Sequence, residues 1–101
     1  MTEAAFDLVI RGGTVATAGG VVRCDVGVRG ERIAALAERL PDGHRTVDAA
    51  GKLLLPGGID AHCHIDQPPN PGSAARGAVM ADDFRSASVS AAFGGTTTIV
   101  P

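Results

Sequence analysis

The chain has 101 residues, 45% hydrophobic and 20% charged, which is enough for a modest core and an ordinary globular composition. Nine basic against eleven acidic side chains give a formal net charge of −2, and Phe6, Phe84 and Phe93 are the only aromatics. With neither a basic excess for phosphates nor a stacking platform for bases, no nucleic-acid partner is expected. No membrane partner is expected either: no apolar run approaches the roughly 20 residues that span a bilayer, and residues 1–5 lack the basic start of a secretion signal.

The first half reads as strand after strand punctuated by glycine. Phe6, Leu8 and Ile10 alternate with Asp7, Val9 and Arg11, and Gly12-Gly13 predicts a turn. A short strand over Thr14 to Thr17 follows, then a hairpin turn at Ala18-Gly19-Gly20. In the next run Val22, Cys24, Val26 and Val28 share one face, while Arg23, Asp25 and Arg29 share the other. Arg29-Gly30-Glu31-Arg32 turns the chain again. Between Glu31 and Leu40 the spacing of Ile33, Leu36, Ala37 and Leu40 fits a helix, but the run of hairpins favours a strand over Arg32 to Leu36. Pro41-Asp42-Gly43 predicts a turn, Thr46-Val47-Asp48 a strand, and Lys52-Leu53-Leu54-Leu55 another.

After Pro56-Gly57-Gly58 the pattern changes. Ile59 to Ile65 reads as one strand, and residues 65–81 as a loop broken by Pro68, Pro69 and Pro71. Asp82 and Asp83 stand where acidic groups favour a helix N-terminus, so they read as helix-start residues rather than catalytic acids. Phe84, Ala87, Ser88, Ala91 and Ala92 form a helical stripe, Gly94-Gly95 ends it, and Thr96 to Val100 is a strand of β-branched composition. Strand, helix, strand at this length is a βαβ unit with parallel strands. The chain is therefore expected to divide into residues 1–56, a small all-β module, and residues 57–101, the opening of an α/β domain. Because Pro101 follows directly on an apolar strand, the chain is expected to be the first part of something longer.

The residues that carry chemistry are Asp60-Ala61-His62-Cys63-His64. In an extended strand, His62 and His64 project to one side and Cys63 to the other. Two imidazoles on one face can bind a divalent metal such as zinc, iron or nickel. A catalytic zinc takes three protein groups, so the remaining ligands must come from elsewhere. His-x-His also arises by chance, with both rings packed or solvated. What favours ligands is position: the pair ends a strand opening a βα unit, where barrel enzymes place their sites, and a long loop follows.

The run Asp48-Ala49-Ala50-Gly51-Lys52-Leu53-Leu54-Leu55-Pro56-Gly57-Gly58-Ile59-Asp60-Ala61-His62-Cys63-His64 resembles the opening motif of the amidohydrolase superfamily. Asp82-Asp83-Phe84 with residues 91–98 is similar to the dihydropyrimidinase and hydantoinase branch, as is Asp7-Leu8-Val9-Ile10-Arg11-Gly12-Gly13-Thr14-Val15. The resemblance covers nearly all of this chain and the first part of a family member. It implies an α/β fold: the start of a (β/α)8 TIM barrel preceded by part of a small β-sandwich that far C-terminal residues complete. It also implies His62 and His64 as ligands of the more buried of two zinc ions. A carbamylated lysine bridging the metals, two further histidines and an aspartate would all lie beyond residue 101.

The function so implied is metal-dependent hydrolysis of the C–N bond of a cyclic amide, a dihydropyrimidine or a hydantoin, by a metal-activated hydroxide. Allantoinase and dihydroorotase chemistry are close alternatives. The small-molecule cyclic amide is the expected partner, and a homo-oligomer, a tetramer by resemblance, the expected assembly. Non-catalytic scaffold relatives lack the metal-binding histidines, so the presence of both here favours the enzyme. An inactive truncated remnant is the third reading; 101 residues cannot close a barrel of about 250, so this segment alone is expected to be inactive.

Cys63, where threonine is frequent in the family, reads as packing, and Cys24 as core. Two cysteines are too few for a disulfide framework, which points to a reducing cytoplasm. Asp66, in Asp66-Gln67-Pro68-Pro69, reads as solvated or supporting the site from behind, and Asp60 as a supporting partner or polar core group. His44 reads as exposed.

Overall fold

The computed structural model describes residues 4–67 and 70–101; Pro68 and Pro69, read above as loop, lie outside the described residues. The chain packs as two units, Met1–Pro56 and Gly57–Pro101.

The first unit is one five-stranded mixed sheet. Strand β1 (Leu8–Thr17) pairs antiparallel with β2 (Gly20–Arg29), which pairs antiparallel with β3 (Arg32–Ala37). On its other side β1 runs parallel to β4 (Arg45–Asp48) along its first half and to β5 (Leu53–Leu54) along its second. The segment over Arg32–Ala37 is a strand, as the hairpin context favours. Gly30 and Glu31 both adopt positive φ, 56° and 65°, the two-residue turn whose twist matches a right-handed hairpin.

Gly12-Gly13 is not a turn. The strand runs through it, and the β1–β2 register shifts between Ile10 and Gly13. Gly12, at φ 74°, supplies the left-handed residue of a bulge. The kink lets β1 change parallel partners: Ala49 N–H donates to Arg11 O at 2.8 Å, and Thr14 N–H to Lys52 O at 2.9 Å.

The core of this unit is Val15, Cys24 and Val26, with Ile10, Val28 and Leu54 packed against it. Val9 is fully buried. Phe6 is buried ahead of β1, its ring lying where a Cβ on Gly27 would come within 2.7 Å. The Arg29 guanidinium sits 5.1 Å from the ring centroid on that same ring.

Alternation along β2 misleads at two positions. Val22 is half exposed, and Asp25, expected on the polar face, is 3% exposed. The carboxylate is satisfied there by the N–H groups of Gly12 and Leu40, each at 2.9 Å, and by Arg11 Nε at 3.4 Å. Arg11 also pairs with Asp42 and donates to Leu40 O.

In the second unit, β6 (Gly58–Asp60) pairs parallel with β7 (Thr96–Ile99), joined through α1 (Pro71–Ala75) and α2 (Phe84–Phe93). Asn70 caps α1, within the stretch expected to be all loop. Asp83 caps α2: its side chain accepts from Ser86 N–H at 2.8 Å, and Ser86 Oγ accepts from Asp83 N–H at 3.1 Å. That first hydrogen bond, above all, holds the Asp83 carboxyl below its usual range. Among the described residues of this unit only Ile65 is buried; Ile59, Phe84, Val89 and Phe93 are exposed. No described helix is long and apolar enough to cross a membrane.

Candidate metal centre

The strand expected over Ile59 to Ile65 stops at Asp60. Val100 explains the limit. Its N–H donates to Asp60 O at 2.9 Å, and its carbonyl accepts from Cys63 N–H at 3.3 Å. In a regular parallel ladder that carbonyl would take the N–H two residues after Asp60, which belongs to His62. One extra residue is therefore accommodated at Ala61–His62, a bulge of the kind that re-aims side chains. Asp60 Oδ1 accepts the displaced His62 N–H at 3.1 Å, so Asp60, exposed at the end of β6, holds the backbone of the first histidine.

The two imidazoles meet beyond this bulge. Their centroids are 4.9 Å apart with the planes at 80°, and His62 Nε2 lies 3.1 Å from His64 Nε2. Two bare nitrogen lone pairs repel at that distance, so the gap suits either a single shared proton or one cation. Two nitrogens bound at about 2.0–2.1 Å to a tetrahedral ion stand about 3.3 Å apart, close to the observed separation. The donor chemistry therefore fits one edge of a divalent metal site. No group of three or more metal-binding side chains occurs among the described residues, so His62 and His64 fall short of the three protein ligands of a catalytic zinc.

No protein-family model matches the chain. A D-hydantoinase from Ralstonia pickettii is 42% identical over 95 residues, which are 94% of this chain and 20% of that protein. An allantoinase from Rubrobacter xylanophilus is 43% identical over 97 residues, 95% of this chain and 19% of that protein. A solved D-hydantoinase structure matches with a TM-score of 0.81 at 40% identity, over 93% of this chain and 19% of that one.

Over nearly its whole length the chain matches the hydantoinase branch of the amidohydrolases. It spans about a fifth of the length of the curated relatives it matches.

The other candidate residues separate by place. Asp82 and Asp83 are at the start of α2, where Asp82 Oδ1 accepts from Ser86 Oγ at 2.8 Å. His44 is exposed in the first unit, its N–H donating to Phe6 O. Cys24 is buried and Cys63 half-buried, both as free thiols. Asp66 is exposed, and its backbone is the notable feature: φ is 50°, the left-handed region that aspartate tolerates better than most residues with a side chain.

That turn brings in a residue the sequence reading passed over. Gln67 Oε1 lies 2.8 Å from His64 Nδ1. The available signal was a hydrogen-bonding side chain three residues after the second histidine.

Proposed function

We propose that this chain supplies the first strands and two metal ligands, His62 and His64, of an enzyme that hydrolyses the C–N bond of a cyclic amide of the hydantoin or dihydropyrimidine class. The observation that carries the reading is the convergence of the two Nε2 atoms to 3.1 Å. The D-hydantoinase and allantoinase relatives support the substrate class.

His62 and His64 would hold the metal, zinc by the donor type, through Nε2. Both of these ligands are neutral, so neither of them reduces the charge of the ion. An ion bound there supplies Lewis acidity toward an amide carbonyl and lowers the pKa of a water from about 15.7 to about 7. Asp60 fixes the His62 backbone, and the Cys63 amide ties the segment between the rings to Val100.

On this reading Gly57–Pro101 is the first βαβ turn of a (β/α)8 barrel, and Met1–Pro56 is part of a small β-sandwich. The exposed apolar side chains of Ile59, Phe84, Val89 and Phe93 support a larger body around them. These 101 residues alone are expected to be inactive.

The test replaces His62 and His64 singly by Asn in the intact protein and measures bound zinc together with ring opening of hydantoin and dihydrouracil. Each variant is expected to lose zinc and at least 100-fold of the turnover. Unchanged metal content and turnover would overturn the proposal.

A further inference from the structure

We propose that Gln67 is the positioning residue of His64, holding the proton on Nδ1 so that Nε2 stays bare and directed at the ion. The inference rests on the reading of His64 as a metal ligand. An amide oxygen can only accept, so the 2.8 Å approach of Gln67 Oε1 makes Nδ1 the donor. In a neutral imidazole the other nitrogen then has no proton. That other nitrogen, Nε2, is the one that faces His62. One hydrogen bond thus sets both the tautomer and the ring plane.

The backbone is shaped to deliver this contact. Ile65 is buried and anchors the chain just past His64. Asp66 adopts φ 50°, a left-handed turn just after His64, and the Gln67 amide comes back to within 2.8 Å of His64 Nδ1. An extended Asp66 would carry Gln67 away from His64. A left-handed residue with a Cβ is sterically disfavoured, so its placement between His64 and Gln67 ties a backbone cost to the approach of this amide. Histidine ligands are commonly oriented by an acceptor on the second ring nitrogen. Here the acceptor comes from three residues further along the same loop, so ligand and orienting group move together.

The experiment titrates the metal-free intact protein with zinc against a chromophoric chelator, comparing parent, Gln67→Met, Gln67→Glu, Gln67→Lys and His64→Ala, with thermal unfolding of each in the absence of metal. Methionine keeps the length without the acceptor, and is expected to weaken zinc binding by about 10–100-fold. Glutamate only accepts and is expected to bind at least as tightly as parent; lysine only donates and is expected to bind no better than methionine. If Gln67→Met unfolds, the Glu–Lys contrast in folded protein still decides. Parent-like binding by Gln67→Met and Gln67→Lys, with binding lost in His64→Ala, would overturn the role of Gln67 alone. Loss in Gln67→Glu equal to that in Gln67→Met would also overturn it, by showing that shape and not the acceptor matters. Parent-like binding by His64→Ala would instead remove the ligand reading beneath it.

Discussion

Asp25 Oδ1 accepts the N–H of Gly12 at 2.9 Å, so the bulge in β1 is held by a carboxylate from the neighbouring strand. The other oxygen of the same group takes the Leu40 N–H at 2.9 Å. One buried side chain therefore fastens the kink in β1 and the segment after β3. Asp25→Ala leaves both N–H groups without this partner, at about 1–3 kcal/mol for each donor that stays buried. Chemical denaturation should show a lower midpoint, and Asp25→Asn, which keeps an acceptor oxygen, should fall between that variant and the parent.

The same cluster makes this unit acid-sensitive. The Asp25 carboxyl is held below its ordinary value of 3.8 by the Leu40 N–H first, then by the Gly12 N–H and Arg11, against the opposing effect of burial. A carboxyl with a lower value in the folded state adds stability that is complete above the unfolded value and lost as pH falls through the folded one. The loss should begin near pH 4 and continue below it. Asp25→Asn should flatten the dependence of stability on pH in that range; an unchanged slope would show that other carboxylates govern acid unfolding.

Gly57 is fixed by Thr97. A Cβ at Gly57 would stand 2.0 Å from Thr97 Oγ1 and 2.7 Å from Thr97 Cβ, too close for a rotamer change to relieve. Gly57→Ala should destabilise the β6–β7 pair by about 1–3 kcal/mol, the usual range for overpacking. The double variant Gly57→Ala/Thr97→Gly should be less destabilised than the sum of its parts. A double-mutant cycle with no coupling would rule out the clash as the cause.

Asp66 offers a backbone test of the metal centre. Glycine accepts positive φ freely, so Asp66→Gly should bind zinc within a few-fold of parent. Asp66→Val places a β-branched residue there, at a cost of roughly 1–2 kcal/mol, and should weaken zinc binding along with the loop. Equal binding by the two variants would show that the left-handed turn does not matter to the site.

Much of the fold is legible because its signals are local. The Gly30–Glu31 turn and the Asp83 start of α2 depend on a few adjacent residues, and each lies where the sequence places it. Non-local partners decide the rest. Gly12-Gly13 signals a turn and a bulge equally well, and only the strands beside β1 select the bulge. Asp25 looks like a surface residue until Gly12 and Leu40, far away in sequence, bring their N–H groups. The strand expected through Ile65 ends early because pairing length belongs to both partners. The Val100 carbonyl takes the N–H of Cys63 and not that of His62, so the regular pairing breaks just after Asp60. At the metal centre His62 and His64 are conspicuous by spacing, whereas Gln67 depends on the sign of one dihedral at Asp66.

Strand β1 bonds to β2, β4 and β5 alike, which has a consequence for the order of events during synthesis. The hairpin with β2 can close soon after both strands leave the ribosome. The opposite edge of β1 must wait for β4, whose Arg45 stands across from Leu8. At roughly 5–20 residues per second, those 37 residues take about 2–7 s. For that interval the nascent chain presents a bare apolar strand edge, and its safe passage depends on whatever shields it on the way out.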